Sequence, residues 1–271
     1  MILAPIVIVA LAGPATSPIA IDKTGEVFAN AVSQPDGGIA GDVVAATGQD
    51  AIFVGVDKAP PFERLPKTGW SVMNLGLHAI ATLGRGARAT AAVGRAVFTL
   101  ERGKATKLAD APANVIALGA SAKSIAIETD RGIARFDTGT WKPLAKAPQH
   151  VDALLDAKWA LTARGVIDLE TGAVVAWPLG FHVEAAVAVG EVVYAASARE
   201  LAIVKTGAAV KEALPPLATP IVGIVADNAG RVALVTRGGQ LAQKLAGTWT
   251  VTELRTVPAQ PHAGAPPADS K

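Results

Sequence analysis

Apolar residues in this chain fall into short runs of about five to nine positions, closed on both sides by Gly, Pro, Asp or Asn. Val97-Phe98-Thr99-Leu100, Ile133-Ala134-Arg135-Phe136, Val166-Ile167-Asp168-Leu169 and Leu201-Ala202-Ile203-Val204 form the four-residue centres of such runs. Runs of this length, rich in β-branched residues and bounded by turn formers, predict strands. Helical periodicity is weak. The abundance of Ala favours helix by propensity alone, but the regular spacing of the turns overrides it.

One Gly-marked turn recurs along the chain. Lys23-Thr24-Gly25, Lys67-Thr68-Gly69, Glu101-Arg102-Gly103, Asp137-Thr138-Gly139, Glu170-Thr171-Gly172, Lys205-Thr206-Gly207 and the degenerate Leu245-Ala246-Gly247 each separate two apolar runs. The successive glycines are 44, 34, 36, 33, 35 and 40 residues apart. A tight hairpin needs a residue tolerant of positive φ, and glycine provides it. Two further runs precede each hairpin: HVEAAVAVG (182–190) and EVVYAASA (191–198) in one unit, IVGIVADNAG (221–230) and RVALVTRG (231–238) in the next. The unit is therefore four short antiparallel strands, A to D.

Four strands every 33–40 residues is the period of a β-propeller blade. A single blade cannot bury both its faces, whereas a closed ring of blades can. The expected fold is all-β, a β-propeller of four-stranded antiparallel blades over residues 17–257. Complete units begin near residues 38, 78, 113, 149, 181 and 217, and residues 5–32 supply a seventh, irregular one. In that first unit Ile19-Ala20-Ile21 reads as strand C, with strand B missing. Seven blades are preferred, with six as the alternative if residues 1–20 are cleaved.

The two ends differ from the middle. Residues 1–16 begin MILAPIVIVALAG, which admits two readings. The apolar stretch followed by Ala10-Leu11-Ala12 suits a secretory signal, although no Lys or Arg precedes it. The β-branched Ile6-Val7-Ile8-Val9 suits a buried first strand. A signal would place the protein in a bacterial periplasm or outside the cell; otherwise it is cytoplasmic. Residues 258–271, rich in Pro and Ala, cannot bury a core and are expected to be a disordered tail.

Composition narrows the chemistry. With 51% hydrophobic and 18% charged residues, the chain is not disordered as a whole. It has no cysteine, which excludes disulfides, thiolate metal sites and a thiol nucleophile. A net charge of +2 marks no general nucleic-acid binder, and no apolar stretch predicts a membrane helix. There is no G-x-S-x-G elbow, no H-E-x-x-H and no Walker sequence.

Three segments carry family resemblances. HVEAAVAVGEVVYAASARELAIVKTGAAV (182–210) resembles a WD-repeat unit, with its opening His and closing Thr-Gly but without the Trp-Asp pair. GVIDLETGAVVAW (165–177) is similar to the repeats of pyrroloquinoline-quinone propellers, and GIARFDTGTWKPL (132–144) to those of bacterial sensor propellers. The mixture implies the propeller fold rather than one family, and fold alone does not give function.

Four features bear on function. His78, Asn114, His150 and His182 occupy equivalent positions at the start of four successive A strands, with Asp152 and Glu184 two residues beyond two of them. A strands line the channel of a propeller and run in one direction, so these side chains are expected at one rim. Imidazoles and carboxylates there could take a divalent metal. A His reused once per repeat also serves as a tether of the blade. Gly84-Arg85-Gly86-Ala87-Arg88-Ala89 fits a dinucleotide-binding pattern, but strands rather than a helix follow it, so the segment reads as the turn between strands A and B. The same unit holds Arg85, Arg88, Arg95, Arg102, Lys104 and Lys107, read as a solvated loop face. Trp70, Trp141 and Trp249 follow hairpin glycines and are expected to pack against the next blade.

Two functions follow from these readings. One is a non-enzymatic binding module or scaffold that docks a protein or peptide partner on a loop face. The alternative is a metal-dependent lactone or ester hydrolase in the central channel, with Asp152 or Glu184 as base on a metal-bound water. Binding of pyrroloquinoline quinone rests on one repeat and is the weakest reading.

Overall fold

A computed structural model describes residues 6–34, 39, 43–48, 51–56, 60–65, 69–73, 82–205 and 207–256. The Pro- and Ala-rich tail lies outside them, as does His78. Among the described residues every regular element is a strand.

The strands form seven antiparallel blades. The first contains β1 (Ile8–Ala12), β2 (Ile19–Asp22), β3 (Val27–Ala29) and β4 (Val32–Ser33). The second contains β5 (Val43–Thr47), β6 (Ile52–Val56), β7 (Phe62–Leu65) and β8 (Gly69–Val72). The third contains β9 (Thr82–Leu83), β11 (Thr90–Val93), β12 (Ala96–Glu101) and β13 (Lys104–Asp110), with the two-residue β10 (Arg85–Gly86) inside its first turn. The fourth contains β14 (Val115–Ala120), β15 (Ile125–Thr129), β16 (Gly132–Asp137) and β17 (Thr140–Pro143). The fifth contains β18 (Ala153–Leu154), β19 (Trp159–Thr162), β20 (Gly165–Asp168) and β21 (Val174–Ala176). The sixth contains β22 (Ala185–Val189), β23 (Val192–Ala196), β24 (Glu200–Lys205) and β25 (Ala208–Ala213). The seventh contains β26 (Ile221–Ala226), β27 (Val232–Thr236), β28 (Gln240–Lys244) and β29 (Trp249–Glu253). Each blade pairs in simple A-B-C-D order.

Apolar clusters fill the gaps between blades and close the ring. Phe53 and Met73 of blade two meet Ala91 and Phe98 of blade three. Ala92 and Val97 of blade three meet Leu118, Ile125 and Ile127 of blade four. The last gap joins blade seven to blade one, where Ala233, Val235 and Leu241 pack on Ile8, Leu11 and Phe28. Both faces of every blade are thus buried, and small residues keep the blades close. Near the outer edge Arg255 bridges Val32 in parallel, with Ser33 N donating to Arg255 O and Arg255 N to Ala31 O, both at 2.9 Å. Seven blades, not six, complete the circle.

Two expectations require correction. Strand B of the first blade is present: β2 pairs with β1, so Gly25 marks a B-to-C turn and not a C-to-D hairpin. Asp22 shapes that turn, its Oδ1 accepting from Thr24 N at 2.8 Å and Glu26 N at 2.9 Å. The turn chemistry matches that of the hairpins, but the blade is shorter and its turns fall out of phase. The tryptophans pack against the preceding blade, not the next. Trp70 joins the apolar cluster between blades one and two, Trp141 that between blades three and four, and Trp249 that between blades six and seven. Trp249 Nε1 donates to Glu212 Oε1 of that preceding blade at 2.8 Å.

Candidate functional site

Antiparallel order puts the A–B and C–D turns of every blade on one loop face, and the B–C turns and D–A connections on the other. The A strands surround a central channel of about 1210 Å³. Its lining reaches the A–B turns at Gly13, Gly48, Arg85-Gly86, Ser121–Ser124, Asp156–Lys158 and Asp227-Asn228, so the channel opens on the A–B face.

Of the sequence-predicted rim residues, His78 lies outside the described ones. Among the described members, Glu184 lines the channel, whereas Asn114, His150, Asp152 and His182 do not. All five are exposed. His150 and His182 lie on the connections that cross the opposite face before the A strands begin. Other groups already engage two of the set. His150 Nδ1 lies 2.9 Å from Oε1 of the buried Glu128, and Glu184 Oε2 accepts from Ile221 N of the next blade at 2.8 Å. These contacts tie neighbouring segments together. Among the described residues no three His, Asp or Glu side chains come together as metal ligands.

The Gly84–Ala89 segment is the A–B turn expected of it, but with an extra element. β10 pairs in parallel with β14 of the next blade, Arg85 opposite Gly119 and Gly86 opposite Ala120. The basic residues of this blade do not form one patch. Arg85 enters the channel, Arg95 Nε donates to Ala111 O at 2.8 Å, and Lys107 pairs with Asp110 at 2.9 Å. Sequence reasoning missed β10. Its signal was the pair of glycines flanking Arg85, which a turn alone does not require.

The channel mouth is charged on both sides. Lys158 pairs with Glu191, and Arg135 with Asp137 and Glu170. Burial pushes the Asp156 carboxyl up from its ordinary value, although its Oδ1 accepts from Trp159 N at 2.7 Å and Lys158 N at 2.8 Å. Asp227 goes the other way: burial works to raise it, and hydrogen bonds from Arg231 overcome that and hold it low.

On the opposite face, Pro178 O accepts from Phe181 N at 3.0 Å, and Gly180 adopts φ 75°. This is a turn with its left-handed position at Gly180. It presents Leu179 with 101% exposure, while Trp177 and Phe181 stack at 5.4 Å across its base. Ile116, 54% exposed, sits at the irregularity between Val115 and Ala117 in β14. Such a bulge redirects a side chain that the ladder would otherwise aim at a neighbour.

The fold and channel define a seven-bladed β-propeller. No known family's sequence profile matches the chain, and no curated protein matches it in sequence. Solved structures match in fold. The WD40 β-propeller domain of Doa1 superposes with a TM-score of 0.56 at 12% identity, covering 86% of this chain and 90% of that one. YCF48 bound to D1 peptide gives 0.57 at 12% identity over 90% and 95%. The extracellular domain of BT4673 from B. thetaiotaomicron gives 0.54 at 14% identity, with 89% of this chain covering 38% of that one.

Proposed function

We propose that this propeller is a non-enzymatic binding module that docks a protein or peptide partner on its B–C and D–A loop face. The observation that carries this reading is Leu179, wholly exposed on a turn fixed by Gly180 and braced by Trp177 and Phe181. A leucine side chain standing wholly in water contributes nothing to this fold, and the turn fixes its backbone before any partner covers it. Exposed Ile116 and the polar His182 and Asp152 share the same face. The similar fold of YCF48 bound to D1 peptide is a precedent for peptide docking on such a scaffold.

Site-specific photocrosslinking in an extract of the producing cells tests the proposal. A photoreactive residue at position 179 should give one dominant adduct. Excess purified protein should compete it away, and the Leu179→Asp variant should not. The control position is Val210, 64% exposed on the outer strand β25. No adduct at 179, or the same adduct at both positions, would overturn the reading.

A further inference from the structure

The A–B turn of blade three does something that blade packing does not need. The apolar cluster between blades three and four already joins them. In addition β10 hooks onto β14, and Ala87 N donates to Ala120 O at 2.8 Å. The hook carries β10 across the channel to within 8 Å, between Cα atoms, of β22 in blade six. Glycine is what permits the approach. A Cβ on Gly86, where φ is +106°, would lie 2.1 Å from Ala120 O, and one on Gly119 would lie 2.4 Å from Asp156 O. What the hook delivers into the channel is Arg85.

Arg85 has no carboxylate partner among the described residues, because the acids that line the channel are engaged elsewhere. Asp156 accepts from Lys158 N and Trp159 N, and Glu184 from Ile221 N. Asp227 binds Arg231, Glu170 binds Arg135, and Asp168 and Glu191 face Lys158. Lys123, in the neighbouring A–B turn, likewise has no carboxylate partner among the described residues, and it lines the same mouth. Arg85 is exposed to the water of the channel, and the partial desolvation it meets there lowers its guanidinium pKa.

We propose that the channel is a binding site for a small organic oxyanion, a carboxylate or a phosphate, gripped by the Arg85 guanidinium and attracted by Lys123. A guanidinium presents paired N–H donors that match two oxygens of either group. The channel volume suits a small molecule. This site lies away from the Leu179 face, so the two proposals stand or fall separately.

The test is a nuclear magnetic resonance titration of the arginine Nε–Hε signals in the full chain. The probes are inorganic phosphate, citrate and, for ionic strength, chloride. One arginine signal is expected to shift saturably with phosphate, citrate or both, and not with chloride. Phosphate alone would identify a phosphoryl ligand, citrate alone a carboxylate ligand; either supports the site. Arg85→Gln should abolish saturation, and Arg85→Lys, which keeps the charge but not the fork, should weaken it about tenfold. Arg102→Gln, on an exposed hairpin, should change nothing. Since Arg85 has no partner to lose, the Arg85→Gln protein should melt no lower than the parent. Shifts that never saturate with either anion, or saturation that survives Arg85→Gln, would overturn the proposal.

Discussion

Truncating Ile8 to Ala probes the closing seam of the ring. Ile8 is 1% exposed in β1 and packs in the cluster that joins blade one to Ala233, Val235 and Leu241 of blade seven. The change removes three carbons, worth about 2.4 kcal/mol at ~0.8 kcal/mol per methylene. The cavity left behind adds to this, giving about 3–4 kcal/mol in all. In a chain of this size that corresponds to a fall in Tm of roughly 6–16 °C. Val72→Ala is the control, because Val72 is 58% exposed on an outer strand and its loss should stay within about 0.5 kcal/mol. Urea unfolding followed by tryptophan fluorescence reads both. A double variant with Val235→Ala, in the same cluster, should depart from additivity by about 0.5 kcal/mol or more. If Ile8→Ala cost under about 1 kcal/mol and matched the control, β1 would not be part of the ring, and the argument for closure by the N-terminal strand would fail.

Three further outcomes are expected. The Asp156 carboxyl is raised by burial in the folded chain, so its ionisation opposes folding; that contribution favours folding at low pH and is lost as pH rises through the raised value. Asp156→Asn keeps the acceptor for Lys158 N and Trp159 N, and should be at least as stable as the parent at neutral pH, with a flatter stability profile between the ordinary carboxylate range and neutrality. Trp249→Phe abandons Glu212 and should cost about 1–2 kcal/mol more than Trp141→Phe, whose buried indole N–H has no partner to lose among the described residues, as paired denaturation curves would show. Gly119→Ala drives a Cβ against the Asp156 backbone and should lower Tm by several degrees, whereas the exposed Gly103→Ala acts only through its φ of 68°.

The repeat was legible because it rests on local chemistry. Gly103, Gly139, Gly172, Gly207 and Gly247 all adopt positive φ, from 68° to 93°, between the third and fourth strands of their blades. Gly25 adopts φ 83° as well, but between the second and third strands. A turn residue announces a turn without saying which one, so the first blade was read out of phase. The facing of Trp70, Trp141 and Trp249 was hidden for a related reason. Alternation distinguishes a buried face from a wet one, but a propeller blade is buried on both, so period two cannot say which neighbour an indole meets. The rim histidines show the same limit at the site. His150 and His182 each stand three residues before an A strand, yet neither lines the channel, and among the described residues no three potential ligands meet.

The hook of blade three joins these local and long-range lessons. Gly84-Arg85-Gly86 looks like turn chemistry from sequence, and it does occupy a turn. The steric demand that fixes Gly86 comes from Ala120, 34 residues further on, and no local pattern carries it. A hook whose role was only to brace two blades would be served as well by an uncharged polar residue at position 85. An uncharged side chain there would escape the desolvation that lowers the guanidinium pKa. Folding therefore accounts for the two glycines and not for the arginine between them. The charge left without a carboxylate partner among the described residues, placed in the channel with its neighbouring acids occupied by other partners, is the one whose chemistry a ligand must complete.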